Sequence, residues 1–325
     1  MTSWLRHILK GVLTLGVLVA LALSVDLSGM EAATGHIRWG WVLLALALLP
    51  VNLALDAATW GWVLSDTVGH PGWTAVGKAT LGGITLGFWT PVQVGEYAGR
   101  ALGIDADPWA VSLTVFAQRM VDMGVGVAFG LVGLGVAFGT GVVPLTGPWL
   151  GALCLGMGTL GLLGVAGIRR RWLVRHLPAG LPGIAGVARR ARLFRRMGGK
   201  TVRWVCGGAG LRYLVFAGQF ACLGVAFAPH ATLPTLGLAA ALTYYAKYLL
   251  PSLTLLDVGL REGAAAGAFA LVGLSPEIGV CAALSIFLIN LALPAALGVP
   301  FVVENLQSEA RSFLPAPLSI SPSSR

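Results

Sequence analysis

Phe88–Arg100 reads FWTPVQVGEYAGR and interrupts an otherwise apolar chain. Thr90-Pro91-Val92-Gln93 is a helix-start pattern. Thr90 can serve as N-cap, Pro91 fits the first helical position, and Gln93 can close a capping box. The helix so opened carries Glu96 and Arg100 at i,i+4, in the favourable acid-before-base order. If Thr90 sits at the tip of a hairpin inside a membrane bundle, the free N–H groups of this helix face a cavity suited to a phosphate. A cytoplasmic amphipathic helix with a surface ion pair fits the same letters. The choice depends on where the stretch lies relative to a membrane.

Composition places it there. The 325 residues are 56% hydrophobic and only 11% charged, with mean hydropathy +0.82. Soluble domains carry about 25% charged residues, so the chain is a polytopic membrane protein. Its 11 Trp and 46 Gly suit interfacial anchoring and close helix packing. The net charge of +9 is uneven. The stretch from Arg169 to Arg203 is dense in Lys and Arg and contains no Asp or Glu. That pattern fits a cytoplasmic loop under the positive-inside bias, with attraction to anionic lipids, better than a nucleic-acid site. Cys154, Cys206, Cys222 and Cys281 have no metal-ligand spacing and read as small buried hydrophobes.

Apolar runs of span length fall near 8–25, 39–64, 111–139, 147–168, 204–228, 232–250 and 278–302, with shorter runs at 74–90 and 260–274. Arg6 and Lys10 before the first run read as the start of a transmembrane helix; a signal peptide cleaved near Ala22 is the alternative. Period-two patterning is absent, so the fold class is all-α: a helical bundle with about six full spans plus two broken, re-entrant hairpins. Parity supports the first hairpin. The N-terminus and the basic loop share the cytoplasmic side only if 74–90 enters and leaves by one face. The second half can repeat this upside down around PSLTLLDVGLREG (251–263), which would make an inverted repeat with a site near the midplane. Two ordinary spans at 232–250 and 260–274 are the competing arrangement, and that one leaves the C-terminus outside. Residues 1–303 are expected to form one transmembrane domain, divided by the loop 169–203 and followed by a short disordered tail at 304–325. The expected location is the cell (inner or cytoplasmic) membrane.

Charged residues gather at two further places. Gln118, Arg119 and Asp122 share one face of a long helix. A charge at mid-bilayer costs roughly 2.5–3.5 kcal/mol on insertion scales, so these side chains should face the bundle. Lys247 precedes Asp257, Arg261 and Glu262, and Asp257 can cap the helix that follows. The plain readings are an interfacial ion pair for the first group and a polar loop for the second. Asp56, with Asn52 one turn before it, must find partners across helices, and a proton-relay role is an alternative for it. Asn290 suits polar adhesion between helices.

Three segments together resemble the flippase-like family named after the transmembrane domain of lysylphosphatidylglycerol synthases. Its P-x-x-x-G-E…R segment reads here as Pro91, Gly95, Glu96 and Arg100. Its [E/Q]-R-x-x-D segment reads as Gln118, Arg119 and Asp122. Its late P…G-x-x-E segment reads as Pro251, Gly259, Arg261 and Glu262. The chain departs from the pattern in three ways. Gly99 adds a residue before Arg100, Gln118 stands for the usual Glu, and LTLLDVG replaces a turn richer in Gly and Pro. The resemblance implies movement of an aminoacylated, polyprenyl-linked or other amphiphilic lipid between leaflets. A soluble aminoacyltransferase domain is not expected in this chain.

The expected substrate-binding residues are Thr90, Gly95, Glu96, Arg100, Arg119, Asp122, Lys247, Asp257, Arg261 and Glu262. The arginines and Lys247 would meet a phosphate-bearing head group; the carboxylates would hold those cations or meet a cationic head group. No catalytic residue, metal, cofactor or nucleic-acid partner is expected, and no GxxxxGK[ST] loop is present. The alternatives are a non-catalytic partner of lipid or glycan biosynthesis enzymes and a membrane-embedded lipid-modifying enzyme.

Overall fold

The computed structural model describes residues 35, 37–90, 93–144, 146–168, 197–249 and 259–312. Among them every regular element is a helix. The expected first span at 8–25, most of the basic loop, Pro91, Pro251 and Asp257 lie outside the described residues.

The elements are α1 (Trp39–Ala47), α2 (Leu49–Thr67), α3 (Trp73–Phe88), α4 (Gly95–Leu102), α5 (Pro108–Gly139), α6 (Gly147–Ile168), α7 (Gly199–Phe227), α8 (Leu233–Leu249), α9 (Leu260–Leu271), α10 (Pro276–Phe287), a π-helical segment (Leu288–Ala292) and α11 (Leu293–Ser312). Among the described residues, five stretches are long and apolar enough to cross a membrane: Trp39–Thr67, Pro108–Gly139, Gly147–Gly164, Gly199–Phe227 and Pro276–Gln307. The chain is a polytopic helical membrane bundle. The last helix runs on to Ser312, past the expected boundary at residue 303.

Local chemistry sets the helix boundaries. Asp107 Oδ1 accepts the Trp109 N–H at 3.1 Å, and Pro108 follows at the first helical position of α5. Asp66, near the end of α2, caps α7 from outside: its Oδ2 accepts the Gly198 N–H at 3.2 Å and the Thr201 hydroxyl at 2.5 Å. At the end of α9, Gly273 has φ +78°. The Leu274 N–H returns to Phe269 O, and the Gly273 N–H to Ala270 O, which closes the helix in a Schellman turn.

These contacts define two ends of the bundle. At one end Asp66 meets the start of α7, and Lys78 in α3 pairs with Glu304 in α11 at 3.2 Å. At the other, the Arg38 N–H bonds to Ala226 O at the close of α7, and Leu236 in α8 packs on Gly224. Helices α3 and α4 form an antiparallel hairpin that opens toward the first end. A Cβ on Gly99 would lie 2.7 Å from Gly82 O, and one on Gly103 would lie 2.6 Å from the Ala79 Cβ. Such spacing allows only glycine at the crossing. Helix α8 descends from the opposite end against α5, with Tyr245 on Gly130 and Tyr248 on Gly126. Helix α9 climbs back to that end and joins α10 through a short turn. The two broken elements therefore point toward each other from opposite ends. The α10–α11 stretch runs the full length between the ends, so the C-terminal helix finishes beside the start of α3.

Three details differ from the sequence reading. Cys154 and Cys206 are exposed on the helix bundle, and only Cys222 and Cys281 are buried. The helix after Thr90 begins at Gly95. Gln93 closes no capping box: its φ is +55°, and its side chain turns away to Arg119. The Thr90 hydroxyl still accepts the Gly95 N–H at 2.6 Å, so it caps the helix across a longer turn.

Candidate functional site

Between the α3–α4 hairpin and helices α2, α5, α7 and α8 lies a cavity of about 440 Å³. Its charged wall is built from both halves of the chain. Asp56, Glu96 and Asp122 supply three carboxylates, and Arg100, Arg119, Arg212, Lys247 and Arg261 supply five cations.

Arg100 is the most enclosed of these, at 1% exposure. One of its guanidinium nitrogens lies 2.9 Å from Asp56 Oδ2 and 2.7 Å from Glu96 Oε1. The other donates to Gln118 Oε1 at 2.9 Å, and Trp60 covers the guanidinium face at 4.9 Å. Gly99, the extra residue of the first motif, places Arg100 one full turn from Glu96. This spacing creates the i,i+4 pair. It also lets α4 press against Gly82 and Gly83 of α3. Gln118 donates through Nε2 to Asp56 Oδ1 and Thr59 Oγ1, each at 2.9 Å. A neutral amide here bridges Arg100 and Asp56, accepting from one and donating to the other. A glutamate could not donate to Asp56.

Glu96 also receives Arg119, whose Nη2 donates to Gln93 Oε1 at 2.9 Å as well. Arg212 enters from α7. Its Nη1 reaches Asp56 Oδ1 at 2.9 Å and Asp122 Oδ2 at 3.0 Å, and its Nε donates to Asn52 Oδ1 at 3.2 Å. From Asn52 a chain of amides continues. Asn52 donates to Asn290 at 2.8 Å, Asn290 to Gln219 at 2.9 Å, and Gln219 to Ala45 O at 2.9 Å. Asn290 lies in the π-helical segment, a wider turn of the kind often found at functional positions. The expectations of interhelical partners for Asp56 and of a linking role for Asn290 are met.

In the second half, Glu262 is fully buried and holds the start of α9. Its carboxylate accepts the Gly259 N–H at 2.6 Å and pairs with Arg261 at 2.5 Å. Gly259 takes φ +98°, a conformation that favours glycine. Arg261 lies over the Phe287 ring at 5.1 Å, and Phe88 at the tip of the first hairpin approaches the same ring at 6.0 Å.

Of the residues singled out in the sequence, Thr90, Glu96, Arg100, Arg119, Asp122, Lys247 and Arg261 line the cavity together. Gly95 packs tightly against Leu86 O and caps the turn rather than lining it. Glu262 stands behind Arg261. Asp257 lies outside the described residues. Sequence reasoning missed Arg212, Gln219 and Tyr248. The usable signal for Arg212 was the cost of a lone arginine in an apolar run, the same cost that singled out Asp56. Among the described residues, no cluster of His, Cys, Asp and Glu is placed to hold a metal ion.

Comparison with known families finds a match over most of the chain. A family model described as the lysylphosphatidylglycerol synthase TM region matches residues 7–298. No curated protein and no solved structure matches the chain.

Proposed function

The chain belongs to the lysylphosphatidylglycerol synthase TM-region family, and from that premise we propose that it carries the head group of a phosphate-bearing amphiphile between the two leaflets of a membrane. The observation that carries this reading is the shared cavity: five cations and three carboxylates, drawn from both halves of the chain, line one space. Moving a lipid across hydrocarbon requires a polar path for its head group while the tails stay in the bilayer. Charges inside a membrane bundle are costly, and they commonly mark such paths. Opposed broken helices around a midplane site are the architecture of many transporters.

In this reading α3–α4 and α8–α9 are re-entrant. The Asp66 end faces the cytoplasm together with the basic loop, and the Arg38 end faces outward. Arg119, Lys247 and Arg261 meet the phosphate. Arg100, held on both sides by carboxylates, keeps Glu96 and Asp56 in place. Substrates within this class include anionic, aminoacylated and polyprenyl-linked lipids.

The test is a proteoliposome assay in which dithionite bleaches a fluorescent phospholipid only in the outer leaflet. Wild-type protein should expose the inner pool to bleaching. Glu96→Ala and Arg261→Ala should abolish that exposure while leaving expression and reconstitution intact. Unchanged lipid movement in both variants would refute the assignment of the cavity.

A further inference from the structure

We infer that the head group taken by this cavity is a plain anion without an ammonium group, so that phosphatidylglycerol-like lipids are preferred over their aminoacyl esters. This rests on the reading of the cavity as a lipid head-group site.

The first observation concerns what is unpaired. Among the described residues, the buried side-chain polar atoms without a hydrogen-bond partner are Arg100 Nε, Arg119 Nε, Tyr213 OH and Tyr244 OH. All four residues line this one cavity. Arg100, Tyr213 and Tyr244 are each more than nine-tenths buried. An arginine Nε–H can only donate, and a phenol can donate. Buried donors left without acceptors are uncommon in folded proteins, and each one asks for an explanation. A ligand rich in acceptor oxygens, such as a phosphodiester, supplies it.

The second observation concerns what is already taken. An ammonium group is recognised by carboxylates or by aromatic faces. Every carboxylate at this site is engaged by the protein's own cations: Asp56 by Arg100 and Arg212, Glu96 by Arg100 and Arg119, Asp122 by Arg212, and Glu262 by Arg261. Three aromatic faces at or beside the cavity are occupied in the same way. Arg119 lies over Tyr97, Arg261 over Phe287, and Arg100 over Trp60. Tyr213 is stacked on Phe129 at 4.5 Å, which covers one of its faces. A cationic head group would have to displace an arginine to reach a carboxylate, in a wall where five cations outnumber three carboxylates.

The test uses the purified full-length protein in neutral detergent, titrated calorimetrically with dioctanoyl phosphatidylglycerol, its lysyl ester and inorganic phosphate. We expect phosphatidylglycerol to bind about tenfold or more tightly than the lysyl ester. Tyr213→Phe and Tyr244→Phe keep the ring packing and remove only the hydroxyl. Each should weaken phosphatidylglycerol binding several-fold without changing the melting temperature. Equal or tighter binding of the lysyl ester would overturn the inference and leave the head-group site standing. Failure of both lipids to bind would overturn the site and the inference together. Inorganic phosphate binding as tightly as phosphatidylglycerol would assign the cavity to a free anion and overturn the inference for a lipid.

Discussion

Arg212 of α7 joins the second half of the chain to Asp56 of α2, with Nη1 2.9 Å from Oδ1. The same nitrogen reaches Asp122 of α5 at 3.0 Å. One side chain therefore holds α2, α5 and α7 around the cavity. Asp56 is in turn shared with Arg100 at 2.9 Å, so removing either arginine leaves this buried carboxylate partly unpaired.

Asp56→Ala should be among the most destabilising single changes in the bundle. It strips a partner from Arg100, Arg212 and Gln118 at once. Breaking a buried ion pair from one side typically costs about 3–5 kcal/mol. Thermal unfolding of the purified variant should show a clear fall in midpoint. A midpoint equal to wild type would mean that the network contributes nothing to the fold.

Arg100 and Arg119 should separate structure from binding. Arg100 is enclosed by Asp56, Glu96, Gln118 and Trp60, whereas the Arg119 side chain is 32% exposed toward the cavity. Arg100→Gln should lower the unfolding midpoint strongly. Arg119→Gln should leave it within a few degrees of wild type and weaken lipid binding roughly tenfold, the usual scale for a lost charged hydrogen bond. Comparing melting curves and lipid titrations for the two variants decides this.

Gly99→Ala tests the hairpin. The added methyl would stand 2.7 Å from both Gly82 O and the Gly83 Cα, so backbone must shift. Overpacking of this kind costs about 1–3 kcal/mol, and here it also tilts Arg100 away from Asp56. Gly77→Ala on the same hairpin meets nothing within 4 Å and serves as the control. We expect a lowered unfolding midpoint for Gly99→Ala alone.

Asn290→Ala tests the amide chain. It removes the acceptor for Asn52 and the donor to Gln219. The loss should be about 1 kcal/mol per hydrogen bond, and Asn52 becomes free to rotate away from Arg212. Lipid movement should slow more than stability falls. Equal losses in Asn290→Ala and in an exposed-face control such as Leu297→Ala would remove the special role of the chain.

Much of this arrangement was legible in the sequence. Hydropathy located the long helices, because a span must be both long and apolar, but it ended the last one too early: that helix runs on to Ser312. The Glu96–Arg100 pair and the Gln118–Arg119–Asp122 face followed from helical spacing. What escaped was every link between segments far apart in the chain. Nothing periodic ties Arg212 to Asp56, or Asn290 to Gln219. Only the cost of burying a lone polar side chain signals that each has a partner, and that cost does not say which. The start of α4 was misplaced for a local reason. Thr90-Pro91-Val92-Gln93 has the letters of a capping box, yet Arg119 draws the Gln93 side chain toward the cavity at 2.9 Å. A tertiary hydrogen bond overrides the local signal there.

The most direct measurement is photo-crosslinking of a phosphatidylglycerol analogue, with the reactive group on its head, to the full-length protein in proteoliposomes, read out by peptide mass spectrometry. We predict labelled peptides from both halves of the cavity wall, around Glu96–Asp122 and around Arg212–Lys247, and loss of that labelling when unlabelled phosphatidylglycerol competes. Labelling confined to the lipid-facing surfaces of α6 and α11, unaffected by competition, would contradict a head-group site in this cavity.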